Sequence, residues 1–234
     1  MKNPPKLKQK LEVKKYHGIE IKDEFSWIHQ KNILEVLKDS TKLDPEVRKY
    51  LEEENSYTKF KMKDTEEFQK KLFKEIKGRI KLDDESLHFF YKKDGWEYWS
   101  KTTKENNYPI QLRKRIEDSK EKTQEFWNGD KEKKKLSASY FGVGDLTVSH
   151  DHSLLGYSLD LNGSEFYTIY IRRISDEKII DEKIENTSGG ITFSKDNRFI
   201  FYTLLNEKHQ PKNIFRHKIG SFQKDELIYE ELDP

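Results

Sequence analysis

Serine, histidine and aspartate crowd together at Ser149-His150-Asp151-His152-Ser153. Two chemistries use such residues. Imidazoles beside a carboxylate can ligate a metal, and a serine near a histidine and an aspartate can serve as a nucleophile with its base. A zinc site needs three or four convergent ligands with hydrogen-bonded support behind them. The sequence speaks against that here, because the stretch returns 45 residues downstream as Ser194-Lys195-Asp196-Asn197-Arg198, with both histidines replaced. The copies share Ser-x-Asp. Their common role is therefore a turn, in which the aspartate accepts backbone N–H groups two residues on and Asn197 tolerates a positive φ.

Nucleophilic catalysis on a strained strand-to-helix turn would need Gly-x-Ser-x-Gly. No such pentapeptide occurs, and Gly163-Ser164 and Ser188-Gly189-Gly190 do not fit it. Gly142-Val143-Gly144 lacks the third glycine and the βαβ setting of a phosphate-binding loop, and reads as a connection into a strand. His17, His29, His88, His209 and His217 fall in unrelated settings, and no carboxylate pair stands out as an acid/base couple. With no cysteine, neither a disulfide nor a thiolate zinc site can form. The residues assign no catalytic, cofactor-binding or metal-binding position.

The twin turns belong to a longer repeat. Leu146 to Tyr157 matches Ile191 to Tyr202 at constant spacing, and Ile169, Tyr170, Arg173 and Ile174 keep register with Ile214, Phe215, Lys218 and Ile219. A period of about 40–50 residues built of short strands marks four-stranded propeller blades. The spacing predicts blade two over residues 140–184 and blade three from Ile191 onward. A more divergent first blade is expected from the hairpin His88–Lys92 and Trp96–Ser100 about Asp94-Gly95, followed by a strand at Tyr108–Arg113. Ile110, Leu112 and Arg113 there correspond to Ile169, Ile171 and Arg172. The stretch from Glu117 to Leu136 reads as a long polar connection, and Phe199-Ile200-Phe201-Tyr202 as a strand buried on both faces. Three blades do not close a ring, which takes about 4–8.

Upstream the pattern is helical. Tyr16 to Ile21 reads as a short strand or an extended arm, Asp23 to Ile28 as an aromatic anchor, and Ile33–Leu37 as a short helix broken by Asp39-Ser40-Thr41. Asp44 as N-cap with Pro45 after it opens a helix carrying Val47, Tyr50, Leu51 and Tyr57 on one face. Asp64 with Glu67 has capping-box spacing and opens a second, whose apolar stripe is Phe68, Leu72, Phe73 and Ile76 and whose end is set by Gly78. Two helices this small cannot bury both stripes alone, so a partner surface is expected. The chain is read as an arm over residues 1–79 and blades over 80–234: a mainly β fold, a partial propeller of about three blades behind a small α-helical arm.

Composition bounds the rest. Only 33% of residues are hydrophobic and 38% are charged, which raises the question of disorder; the 13% of aromatics, gathered in alternating runs such as Phe166 to Ile171, answers that the chain folds. Basic and acidic side chains nearly balance, 45 against 43, which argues against a nucleic-acid binder. The lysine runs at Lys6–Lys15 and Lys131–Lys135 are solvated surface. No apolar signal core opens the chain and no run reaches membrane-spanning length, so a soluble cytoplasmic protein without a membrane partner is expected.

Several phrases in order along nearly the whole chain resemble the prolyl oligopeptidase family of serine peptidases, its oligopeptidase B branch in particular. They are Asp23-Glu24-Phe25-Ser26-Trp27-Ile28, Asp44-Pro45-Glu46-Val47 with Glu54-Asn55-Ser56-Tyr57, Gly78-Arg79-Ile80-Lys81 and Tyr108-Pro109-Ile110-Gln111-Leu112-Arg113. Ile184 to Gly189, Phe215 to Gly220 and Asp225 to Glu231 complete the set. Gln30 to Leu43 departs from the family's short link before the first helix. Ser-His-Asp and Ser-Lys-Asp replace its more usual Ser-Pro-Asp turns.

The resemblance implies a helical arm leading into a seven-bladed propeller that covers a C-terminal α/β-hydrolase domain and restricts access to short peptides, cut after Lys or Arg in oligopeptidase B. The family's triad lies in that C-terminal domain, so no catalytic residue carries over, and the chain ends in what would be the third blade. No cofactor is implied. The partners implied are the missing blades and hydrolase domain, in cis or in trans, and short basic peptides for the complete enzyme. The alternative is a non-catalytic propeller module, or a subunit that complements a separately encoded catalytic fragment.

Overall fold

The computed structural model describes residues 3–91, 94–116, 122–180 and 183–233. Two compact units divide it, Met1–Ile80 and Lys81–Pro234. Lys92 of the expected first hairpin and residues 117–121 of the expected connection lie outside the described residues.

The first unit opens with a hairpin of β1 (Glu12–Tyr16) and β2 (Ile19–Asp23), paired antiparallel with Tyr16 opposite Ile19. His17 and Gly18 both carry positive φ, the conformation a two-residue hairpin turn requires. The aromatic anchor forms a 3-10 turn at Ser26–Ile28, where the Trp27 indole N–H donates to the Lys8 carbonyl at 2.8 Å and the Lys10 ammonium lies 3.9 Å from the ring centroid. Helices α1 (Ile33–Lys38), α2 (Pro45–Met62) and α3 (Glu66–Gly78) follow. Asp44 caps α2 as its spacing indicates: Oδ1 accepts from the backbone N–H of Glu46 and of Val47.

Asp64 does not cap α3. It sits inside a 3-10 turn, Lys63–Thr65, that links α2 to α3 through helical backbone at Met62, Lys63 and Thr65. A cap needs a residue with non-helical dihedrals, and the chain never leaves the helical region there. The unit's apolar residues are mostly exposed; among those described, only Val47 is fully buried.

The second unit is a row of β-sheets. Blade one is a five-stranded sheet of β3 (Asp84–Glu85), β4 (Phe89–Tyr91), β5 (Trp96–Thr102), β6 (Ile110–Arg115) and β7 (Gln124–Asn128), with β3 and β4 both on β5. Helix α4 (Gly129–Leu136) leads to blade two, β8 (Gly142–Val148), β9 (Leu154–Asp160), β10 (Tyr167–Arg173) and β11 (Ile184–Thr187). Blade three is β12 (Thr192–Phe193), β13 (Phe199–Leu205), β14 (Pro211–Lys218) and β15 (Glu226–Glu230). Its β13 pairs with β11 through Thr187 and Leu204, so blades two and three form one eight-stranded sheet.

The fold is the mainly β partial propeller with a helical arm that the repeat indicates. Three further expectations need correction. First, the stretch ending at Leu136 is not a polar connection: it holds β7 and α4, with Phe126 and Trp127 buried against blade two. The pattern hides because burial there falls on three consecutive residues, Phe126, Trp127 and Asn128, and not on alternate ones.

Second, β13 is not buried on both faces. Ile200 and Tyr202 are buried toward blade two, whereas Phe199 and Phe201 are half-buried. The strand buried on both faces is β9, because blade two alone has a described blade on either side.

Third, Arg113 and Arg172 are both buried but point opposite ways. Arg113 reaches forward from blade one to the His152 carbonyl, and Arg172 reaches back from blade two to blade one. The correspondence is therefore off by one strand position, which exchanges the faces.

Two apolar clusters form the core. Phe126, Trp127, Phe141, Leu155, Tyr157 and Leu159 join blades one and two; Ile169, Ile171, Ile191, Phe193, Ile200 and Tyr202 join blades two and three. Gly144 is a packing requirement and not a phosphate loop. It lies within β8, where a Cβ would come 2.6 Å from Ser158 Oγ and 2.7 Å from the Tyr167 ring.

Candidate functional site

The most chemically dense region is the rim formed by the turns between the first two strands of each blade. In blade two, Ser149 Oγ donates to Asp151 Oδ1 at 2.6 Å and accepts from the Leu154 N–H at 2.9 Å, while Asp151 Oδ1 accepts the Ser153 N–H at 3.1 Å. Blade three repeats the lattice: Ser194 Oγ to Asp196 Oδ1 at 2.6 Å, Phe199 N–H to Ser194 Oγ at 3.0 Å, and Arg198 N–H to Asp196 Oδ1 at 3.2 Å. Asn197 has φ 58°, and His152 takes the equivalent position at φ 62°.

These bonds set the acidities. At Asp196 the Ser194 hydroxyl, then the Arg198 guanidinium and N–H, lower the carboxyl to about 2. Burial pushes Asp151 up, but the hydrogen bonds from Ser149 and Ser153 outweigh it and the net shift is downward. The two turns also join each other, since the His150 N–H donates to Asn197 Oδ1 at 2.8 Å.

His152 turns inward. Its Nδ1 shares a hydrogen with the Tyr98 hydroxyl at 2.9 Å, Nε2 lies 3.5 Å from Asp94 Oδ2, and its carbonyl accepts from Arg113 Nη1 at 2.6 Å. Burial lowers its pKa, Asp94 opposes, and Arg113 and Arg115 add to the lowering, so the ring is neutral at neutral pH. It stands beside a cavity of about 420 Å³ lined by Phe89, Asp94, Tyr98, Phe126 and Leu146 between blades one and two. His150, in contrast, is exposed. The structure thus parts the two histidines, one to solvent and one to the blade seam.

Two further histidine–carboxylate pairs occur. His88 Nδ1 contacts the buried Glu97, and His217 Nδ1 lies 2.7 Å from Asp225 Oδ1, whose Oδ2 accepts from the Tyr202 hydroxyl at 2.7 Å. The serine hydroxyls of the rim and seam donate elsewhere: Ser149 and Ser194 to their turn aspartates, Ser158 to the Gly189 carbonyl at 2.7 Å. Among the described residues no group of three or more His, Asp or Glu is placed to hold a metal ion. The chemistry of these side chains is that of orientation. Charge and hydrogen bonds fix turns and seams.

The firmest seam contact escaped the sequence reading. Buried Arg172 donates from Nη1 to Glu132 Oε1 at 2.9 Å and from Nη2 to the Phe126 carbonyl at 2.7 Å, with Trp127 and Tyr157 beside the guanidinium. Glu132 lies on α4, inside a run that reads as solvated lysines. The available signal was the repeat, in which Arg172 matches His217, another buried cationic-type side chain on the third strand of its blade.

The blade order, the arm and the turn lattice meet one family description. The model of the N-terminal β-propeller domain of prolyl oligopeptidase matches residues 4–234. The chain belongs to the prolyl oligopeptidase family. Dipeptidyl aminopeptidase BI of Pseudoxanthomonas mexicana is 29% identical to this family member over 250 aligned positions, covering 98% of this chain and 32% of the relative. Protease 2 of Moraxella lacunata is 27% identical over 226, covering 93% and 30%. Oligopeptidase B from Leishmania major superposes with a TM-score of 0.83 at 22% identity, covering 99% of this chain and 33% of that one. At that identity the likeness shows the fold. The chain spans about a third of the length of the curated relatives it matches, and among the described residues no helix is long and apolar enough to cross a membrane.

Proposed function

We propose that this chain is the N-terminal portion of a cytoplasmic, oligopeptidase B-like serine peptidase, with residues 1–79 as its arm and 80–234 as its first propeller blades. In this reading the chain supplies architecture and the hydrolase domain supplies chemistry. The whole enzyme would cleave short peptides after Lys or Arg, and the chain alone would cleave none. The family match over residues 4–234, against relatives about three times as long, carries the reading.

The test is a fluorogenic peptide ending in Arg. The purified chain is expected to leave it intact, and turnover is expected once the remaining blades and hydrolase domain of a family member, made separately, are added. Turnover by the chain alone, surviving repurification and a serine-directed inhibitor, would sink the proposal, as would a remainder that gains nothing from the chain. A second reading, a non-catalytic propeller module that binds a partner chain, draws support from the exposed apolar face of α3. It differs in giving tight binding with no turnover in any mixture.

A further inference from the structure

One residue in each Ser-x-Asp turn reaches back to the blade before it. In blade three that residue is Asn197, whose Oδ1 accepts the His150 N–H of blade two. In blade two it is His152, which crosses to Tyr98 and Arg113 of blade one. Both hold the left-handed backbone, at φ 58° and 62°. The same position thus couples both seams, through an amide in one and an imidazole in the other. Near neutral pH only the imidazole titrates.

Blade one closes around this ring. His152 is 7% exposed, with its ring centroid 5.8 Å from that of Trp96 and 5.7 Å from that of Tyr98. Asp94 faces it from the turn before β5, Tyr98 from β5, and Arg113 and Arg115 from β6; Phe126 of β7 brings no charge. Both guanidiniums lie over Trp96, 4.3 and 4.2 Å from its ring. Asp151, next to it in the chain, is held by Ser149 and Ser153. The Tyr98 hydroxyl accepts from Arg113 Nη1 at 3.3 Å, so its own proton goes to His152 Nδ1. The ring's proton then sits on Nε2, toward Asp94. A second proton would land on Nδ1, displace the bond from Tyr98 and set a third cation beside two guanidiniums. One half-exposed carboxylate opposes this.

We propose that His152 makes the seam between blades one and two an acid-sensitive joint, at which blade one parts from blade two while blades two and three stay together. Among the described residues no strand pair crosses this seam, whereas β11 and β13 pair across the next. Burial lowers the ring's pKa in the closed seam, Asp94 opposes, and the two arginines add to the lowering. An opened seam returns the ring to about 6.5. The open form then binds the proton first, so the seam is intact above that value and weakens as the pH falls below it. A single imidazole limits the effect to about 30-fold at about pH 5. This goes beyond the peptidase reading and does not depend on it, since all three blades are in this chain.

Hydrogen exchange of the full chain at about pH 5 and about pH 7.5, with each rate divided by that of unstructured peptide at the same pH, reads each seam separately. Protection of β5 and β6 should fall by about three-fold to 30-fold at the lower pH, while that of β13 and β14 holds. His152→Asn gives this seam the amide of the next one, and protection of blade one should then be alike at both pH values. Asp94→Asn removes the opposing carboxylate at an exposed position and should leave the loss at least as large as the parent's.

Unchanged protection of blade one in the parent overturns the proposal, as does a folded His152→Asn protein that keeps the loss. Equal loss in all three blades overturns it too, because the molecule then opens as a whole. Should circular dichroism show His152→Asn unfolded, a smaller loss in Asp94→Asn overturns the proposal and an equal or larger one sustains it. Turnover enters none of these readouts. A seam indifferent to pH leaves the peptidase reading standing, and a chain that never supports turnover leaves the joint standing.

Discussion

Buried charge is concentrated at the seam between blades one and two, and Arg172 is its centre. Its guanidinium is held by Glu132 of α4 and the Phe126 carbonyl of β7, so removing it strands a buried carboxylate and a buried carbonyl. Leaving one member of a buried pair unpaired costs about 3–5 kcal/mol, whereas replacing both members with apolar side chains of similar volume can be neutral. Lys135, 3.1 Å from the same carboxylate oxygen, softens the loss toward the lower figure. Arg172→Ala is therefore expected to lose about 3 kcal/mol in urea unfolding, and Arg172→Met with Glu132→Leu to recover most of it. An Arg172→Ala protein as stable as the parent would remove this contact from the account of the seam. Such residues are hard to read from sequence. Glu132 sits in a lysine run and Arg172 at the end of an apolar strand run, and only the packing of α4 on blade two brings them together.

Among the elements, legibility followed local chemistry. Helix α2 was legible because Asp44 and Pro45 act within a few residues of themselves, and the Ser-x-Asp turns because each closes its own hydrogen bonds. Strand β7 was not, since what makes it a strand is its pairing with β6 and the cover given by blade two. The Asp64 reading failed for a related reason: a capping-box spacing does not say whether the backbone leaves the helix. Gly144 gives a test at this scale. Because a Cβ there would press on Ser158 and the Tyr167 ring, Gly144→Ala should destabilise the protein by about 1–3 kcal/mol through overpacking, seen as a lower urea midpoint at unchanged slope. A neutral Gly144→Ala would mean that β8 can shift away from β9 and β10 at little cost.

Over the whole molecule, the count of blades in the sequence is not the count of hydrogen-bonded bodies. Three blades were legible, but β11 closes blade two and also joins β13 of blade three, through the pairing of Thr187 with Leu204 and the Ser188 N–H to the Thr203 carbonyl at 2.9 Å. Blade one, among the described residues, shares no strand pair with its neighbour. Cooperative openings follow continuous ladders. Amide protons of β9, β10, β13 and β14 should therefore exchange with solvent as one class in mild denaturant, with β5 and β6 released separately and earlier. Three independent classes, one per blade, would refute this. The unit that breathes, and that a protease would find last, is thus a pair of blades, and an evolutionary or engineered cut between them would fall where the chain is hardest to part.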